Sequence, residues 1–361
     1  MKIGIVTYHR AHNYGACLQA LATRLFLEQM GHEAYYVDYW PAHHAATYKL
    51  FSFYKLFQGN LNGRINYILN IFKNISEKKE RIQNFEKFIG EYISPYCHSV
   101  NDSFDIILYG SDQIWRKSSY LNDYDPIYFG KNSFKTLKHI SFAASMGYLP
   151  NIEKDKNRVK ELLSHLDEIT VREDDLEQLL NELGYHDVKK IVDPTLLLTY
   201  KQWIEHVEIP DYQGKPYVLL YYVTKPAFDM NEIIRFAEKR GLEIKILCGQ
   251  AKSKKLSSYE STAGPLQFLS LIKNASYTFV CSFHGLAFSL IFSKPFYVSL
   301  ERNFNRIKTL LDLIGEENRF IHPKSSIPEL QSIDYERVHS MLTRESVKVY
   351  SLLQAYLEEK K

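Results

Sequence analysis

The chain has 361 residues, room for two ordinary domains with a full core in each. Lys plus Arg number 45 and Asp plus Glu 42, and a net charge of +3 argues against a dedicated nucleic-acid binder, which needs concentrated basic charge. Apolar content of 45% with 24% charged residues excludes a disordered chain, and no apolar run reaches the ~18 residues of a spanning helix.

Residues 3–8 read as a short apolar strand and 9–15 as a loop. Residues 16–30 read as a helix, with Leu18, Leu21, Leu25 and Phe26 on one side and Gly31 as its stop; residues 34–37 are the next strand. That order is a βαβ unit and requires a parallel sheet. Residues 48–80 interleave Phe, Tyr, Leu and Ile with Lys and Arg. They read either as a pair of amphipathic helices or as an interfacial segment near anionic lipid, a peripheral contact with the inner membrane face. Strands follow at 105–109, 139–143, 168–171 and 188–192, and helices at 154–166 and 173–183. Asp193-Pro194 looks like an N-cap with proline at the first helical position.

Two prolines and Gly214 place a linker at 210–216. The expected domains are therefore 1–205 and 206–361. The second half repeats the alternation. Strands are expected at 217–223, 243–247, 277–281 and 296–300, and helices at 229–240, 265–273, 285–292, 304–314 and 334–358. The fold class is α/β: two Rossmann-like domains with a central cleft, where ligands meet the carboxyl ends of the strands. Cys17, Cys97, Cys248 and Cys281 form no C-x-x-C pair and read as buried free thiols. The apolar run at the N-terminus is too short for a signal peptide, so a cytoplasmic protein is expected.

No G-x-G-x-x-G follows the first strand, and no P-loop, H-E-x-x-H or G-x-S-x-G occurs. The chemistry must come from polar residues just after strands. Ser282-Phe283-His284-Gly285 opens a helix whose N–H groups suit an anion. Gly285 would admit a ligand and His284 could move a proton; the alternative is that Ser282 only caps the helix. Arg172, at a strand end, offers a planar fork for a carboxylate or phosphate, or else pairs with Glu173 or Asp174. In Gly110-Ser111-Asp112-Gln113-Ile114-Trp115, Asp112 and Gln113 could bond sugar hydroxyls, Trp115 could stack on a sugar, and Asp112 could act as a base. The alternative is a capped turn with Trp115 in the core. Asn13, Tyr14, Gly15 and Gln19 belong to the loop and helix after the first strand, which border the cleft in such a sheet. A glycine-assisted turn is the alternative there.

Together these segments resemble the polysaccharide pyruvyl transferase family. The likeness begins with Gly4-Ile5-Val6-Thr7 and Asn13-Tyr14-Gly15-Ala16 and runs through Gly110–Trp115, Phe142-Ala143-Ala144-Ser145, Val171-Arg172-Glu173 and Asp193-Pro194-Thr195 to Gly264-Pro265, Ser282–Gly285 and Asn305-Arg306-Ile307. The resemblance implies a GT-B-like architecture, with residues 1–205 as the acceptor side and 206–361 carrying the donor's phosphate-binding helix start. It implies transfer of pyruvate from phosphoenolpyruvate, a co-substrate, to a sugar of a cell-surface polysaccharide (capsule or exopolysaccharide) or its lipid-linked precursor. The product is a cyclic ketal. His284 and Arg172 are implied to engage the donor. No cofactor and no metal ligand is assigned. Two departures stand out: Gln267 where many relatives carry an acid, and Arg116 where they often carry asparagine. The competing readings are a glycosyltransferase using a nucleotide sugar and a catalytically silent sugar-binding relative.

Overall fold

The computed structural model describes residues 1–41, 44–45, 48, 50–51, 64, 69, 72–118, 120–147, 149, 154–249, 258–301 and 304–358. Most of the basic, aromatic stretch 48–80 lies outside the described residues.

Two parallel sheets organise the chain. The first contains β1 (Lys2–Val6), β2 (Glu33–Val37), β3 (Cys97–His98), β4 (Ile106–Gly110), β5 (Lys138–Ala144), β6 (Glu168–Val171) and β7 (Lys189–Lys190), in the order β3-β2-β1-β4-β5-β6-β7. The second contains β8 (Tyr217–Tyr222), β9 (Glu243–Cys248), β10 (Tyr277–Cys281) and β11 (Phe296–Val298), in the order β11-β10-β8-β9. Strands covered on both faces must be apolar throughout. β4 and β8 accordingly read IILYG and YVLLYY with every residue buried. β7 is shorter than the expected 188–192, and its two exposed lysines suit an edge.

The principal helices, in chain order, are α1 (Tyr14–Gln29), α2 (Ile75–Tyr92), α3 (Lys156–Leu163), α4 (Asp174–Glu182), α5 (Tyr200–His206), α6 (Met230–Glu238), α7 (Pro265–Asn274), α8 (Phe283–Ile291), α9 (Asn305–Ile314) and α10 (Tyr335–Glu358). α1 is buried from Tyr14 to Leu27, because the first sheet covers one side and the second half of the chain the other. Tyr14 stacks on Phe268 of α7 with ring centroids 4.7 Å apart and planes at 9°, and on Phe85 of α2 at 5.2 Å. Its hydroxyl donates to the Ala263 carbonyl at 2.8 Å. Each such ring pair adds about 0.5–1.5 kcal/mol beyond the area it buries. α10 returns to the first sheet: Ser346 Oγ donates to the Leu197 carbonyl at 3.1 Å, and Lys138 Nζ to the Tyr356 carbonyl at 2.9 Å. No described helix is long and apolar enough to cross a membrane.

Each sheet reverses its direction of growth once, between β1 and β4 and between β8 and β10. A crevice opens outside the carboxyl ends of strands at such a point. Here the two crevices face each other.

Candidate active site

The two crevices share one cleft of about 1160 Å³. Its lining comes chiefly from the segments after five strands: Tyr8, Ala11 and Asn13 after β1; Asp112, Gln113 and Arg116 after β4; Val223, Thr224 and Lys225 after β8; Ser282, Phe283 and His284 after β10; Leu300 and Glu301 after β11. Arg306 of α9 joins them. Local sequence explains the turns. Asn13 caps α1, its Oδ1 accepting from Ala16 N at 3.2 Å. Gly110 has φ +151°, and a Cβ there would sit 1.9 Å from the Phe142 carbonyl oxygen, so only glycine allows the chain to leave β4 in this way.

α8 begins at Phe283, two residues before the expected start, which puts His284 in its first turn. Ser282 is the extended N-cap, yet its side chain makes no capping bond. The helix therefore ends at the cleft with unsatisfied N–H groups and about half a positive charge. His284 is 7% exposed. Its Nδ1 packs on Gly15 of α1, where a Cβ would lie 2.0 Å away. Its Nε2 faces Asp193 Oδ2 at 3.7 Å.

Beneath the cleft lies a buried charge network. Arg172 Nη1 pairs with Asp193 Oδ2, which also accepts from Ser111 Oγ at 3.1 Å. Asp193 Oδ1 accepts from Thr195 N at 3.0 Å and Thr195 Oγ1 at 2.7 Å. Burial by itself would raise the Asp193 carboxyl. The Arg172 and His284 side chains and the Thr195 N–H outweigh it and hold the group well below the usual carboxylate range. Glu173 accepts from Ser145 Oγ and lies 3.6 Å from Arg172 Nε and 3.9 Å from Arg306 Nε. Burial pushes its carboxyl up, against the pull of both arginines. With the Gln113 amide turned so that each end meets a partner, its oxygen accepts from Arg306 Nη2 at 2.7 Å and Nη1 at 3.2 Å. Burial, then the nearby Arg172 charge, lowers the Arg306 guanidinium to about 10. The Phe283 ring serves both arginines, with centroid distances of 4.9 Å to Arg172 and 6.0 Å to Arg306.

The structure brings Asn13, Asp112, Gln113, Ser282 and His284 together on the cleft, with Gly15 packed against His284. Other residues expected there lie behind its walls. Tyr14 is in the contact between the two halves. Gln19 is fully buried, donating to Thr7 Oγ1 at 2.7 Å and accepting from Ser111 N at 3.1 Å. Trp115 is in the core, stacked on Phe129 at 5.0 Å, and its indole N–H donates to the Tyr128 carbonyl at 2.9 Å. A Cβ at Gly285 would meet Tyr221 Cδ1 at 2.8 Å, so this glycine seats α8 on β8 rather than opening a path for a ligand. Arg172 borders a separate small cavity of about 50 Å³ with Asp193, Lys190 and Glu345, and its principal partner is Asp193 rather than Glu173. Gln267 Oε1 accepts from Gly264 N at 3.0 Å, the helix-start role its position suggests. Sequence reasoning gave no role to Arg306 and only a capping role to Asp193. The available signal was that each stands in a block of the family resemblance.

Among the described residues, no group of three or more His, Cys, Asp or Glu is arranged to hold a metal ion. The family model of polysaccharide pyruvyl transferase matches residues 13–300. No curated protein matches the chain. Among solved structures it is similar to the UDP-GlcNAc 2-epimerase from Methanocaldococcus jannaschii, at 12% identity and TM-score 0.48, over 98% of this chain and 100% of that one. It is also similar to the glycosyltransferase SnogD from Streptomyces nogalater, at 11% identity and TM-score 0.40 over 99% of each chain. For the E. coli heptosyltransferase WaaC with ADP the values are 11% identity and TM-score 0.41, over 96% of this chain and 100% of that one.

Proposed function

The chain belongs to the polysaccharide pyruvyl transferase family, and from that premise we propose that it transfers pyruvate from phosphoenolpyruvate to two hydroxyls of a sugar in a polysaccharide or its lipid-linked precursor. The observation that carries the reading is the meeting, on one cleft, of His284, Arg306 and the uncapped start of α8, above the buried Arg172–Asp193 pair. The donor carries a carboxylate and a phosphate. A helix start suits the phosphate and a guanidinium fork the carboxylate.

In this reading His284 is the general acid. It protonates the donor's methylene carbon, and positive charge develops at the neighbouring carbon. One sugar hydroxyl attacks that carbon, the C–O bond to phosphate breaks, and a second hydroxyl closes the ketal. Of the two hydroxyl protons, one balances the proton now in the methyl group and the other leaves with phosphate. Asp112, on the cleft wall, is the candidate base for the attacking hydroxyl.

Thermal shift against phosphoenolpyruvate beside nucleotide sugars tests the donor. A ligand at ~100 times its dissociation constant stabilises a fold by about 2.7 kcal/mol. Protection by a nucleotide sugar and not by phosphoenolpyruvate would replace this reading with glycosyl transfer. Full turnover by His284→Ala, with the same ketal seen by NMR, would remove the general-acid role.

A further inference from the structure

We propose that the acceptor is an oligosaccharide rather than a single sugar, and that Tyr120 is the platform for a sugar unit beyond the one that receives pyruvate. This rests on the transferase reading above and adds to it a substrate class and a residue that selects it.

Apolar area is left in water on both walls of the cleft. Among the described residues, Tyr120 is 56% exposed and Val223 42%, and both line the cleft. Tyr120 comes from the segment after β4 and Val223 from the segment after β8, so the two belong to opposite halves of the chain. Single exposed apolar groups need no explanation on an open surface, but in a cleft they offer area that a ligand can cover. A sugar ring has an apolar C–H face and a polar edge. A tyrosine matches it with a ring face and a hydroxyl.

The ring is also held in place. It sits near the tip of an arm, residues 116–124, that is tied to α3 and the residue before it. Lys117 Nζ donates to both carboxylate oxygens of Asp155 at 3.0 Å, and the Tyr124 hydroxyl donates to Asp155 Oδ2 at 3.2 Å. Arg158 Nη2 and Nε donate to Asp123 Oδ2 at 2.9 and 3.1 Å. The tip is closed by Ser118. Its N–H donates to the Asp123 carbonyl at 2.9 Å, and its Oγ accepts from the Tyr120 and Leu121 N–H groups at 3.2 and 3.3 Å. An arm ordered before binding loses little entropy when a ligand settles on it.

Position and space then point to the acceptor. Asp112, the candidate base, precedes Tyr120 on the same segment. Asp112 is half-buried, whereas Arg116 and Tyr120 are exposed, so the segment runs from the depth of the cleft to its mouth. A sugar whose hydroxyl reaches Asp112 leaves Tyr120 to a neighbouring unit. The cleft has room for one. Its volume of about 1160 Å³ exceeds the roughly 300–1,000 Å³ that encloses a drug-sized ligand, and phosphoenolpyruvate with one sugar ring is no larger than such a ligand.

The test is steady-state transfer from phosphoenolpyruvate by the full chain, Tyr120→Ala and Tyr120→Phe. The acceptors are methyl glycosides of galactose, glucose, mannose and N-acetylhexosamines, each as mono-, di- and trisaccharide, with the pyruvyl ketal read by mass spectrometry. Tyr120 is mostly in water, so neither substitution should disturb the fold. The wild type should favour a disaccharide over its monosaccharide by about tenfold in kcat/KM. Tyr120→Ala should lose that preference through a raised KM for the disaccharide, with kcat little changed, and Tyr120→Phe, which keeps the ring, should retain it. Equal use of mono- and disaccharide by the wild type overturns the substrate class. An undiminished preference in Tyr120→Ala overturns the residue, and so does a loss carried by kcat alone, which would place Tyr120 in the chemistry. Transfer to no saccharide by any of the three proteins fails differently: the transferase reading itself would fall, and this inference with it.

Discussion

The cleft has a floor and a rim, and both are charged. In the floor, Arg172, Glu173, Asp193 and His284 are each at most 7% exposed. On the rim, Lys225 is 71% exposed and pairs with Glu301 at 2.7 Å, and Lys117 is 36% exposed and pairs with Asp155 at 3.0 Å. The distances are those of ordinary ion pairs, yet the energetic weight differs. A rim cation that loses its partner is rehydrated, whereas a floor charge that loses its partner stays buried and uncompensated. The number of ion pairs at a site therefore says little about what each contributes. The floor is also where alignment matters: Asp193 alone touches Arg172, Ser111, Thr195 and the surroundings of His284.

The sharpest way to break this contrast is to remove Asp193. Asp193→Ala strands Arg172 and should cost about 3–5 kcal/mol of stability, by the measure of broken buried pairs. It also unties Thr195, so the turn Pro194–Leu197 should loosen as well. Urea unfolding gives the number. A loss under about 1 kcal/mol, the range of surface pairs, would mean the floor is wetter than its burial implies.

A second test uses pH. His9 follows β1 behind the cleft; it is fully buried and stacked on Tyr36 at 5.3 Å, with Nδ1 3.0 Å from the Thr7 carbonyl oxygen. Burial lowers its proton affinity to about 4 from the ordinary 6.5. Below pH 6.5 the unfolded chain takes up a proton that the folded chain refuses. Stability should therefore fall as pH drops from 6.5 towards 4, by about 3 kcal/mol in all, and this contribution flattens below 4. His9→Gln should be less dependent on pH across that window. Parallel stability curves for the two proteins between pH 6.5 and 4 would refute the buried-neutral state.

How much of this was legible in the sequence follows the same division between local and distant. All the strands but the two-residue β3, their parallel direction and the residues just after them were legible, because alternating apolar runs and helices leave few ways to stack a sheet. Asn13, Asp112, Gln113, Ser282 and His284 reach the cleft for that reason alone. The floor was not legible. Arg172 meets Asp193 across 21 positions, and Arg306 meets Gln113 only because two halves of the chain close on each other. No local pattern encodes such pairs. Trp115 shows the opposite error. Its place after a strand suggested a sugar platform, but the core offered its ring Phe129 and its N–H the Tyr128 carbonyl, which satisfies both ends of the side chain.

The smallest effect is expected at the rim and completes the contrast. Lys225→Ala breaks an ion pair of good length, yet the lysine is mostly in water and its partner Glu301 can be solvated. The change in stability should be about 0–1 kcal/mol and should shrink further in added salt. Binding gives the more telling readout. Lys225 lines the cleft after β8, and its side chain stands in water at the rim rather than in the buried floor. If the rim serves the acceptor, Lys225→Ala should leave phosphoenolpyruvate affinity unchanged and raise the KM for the sugar substrate alone. A matching loss of phosphoenolpyruvate affinity would extend the donor site across the cleft and erase the distinction between floor and rim.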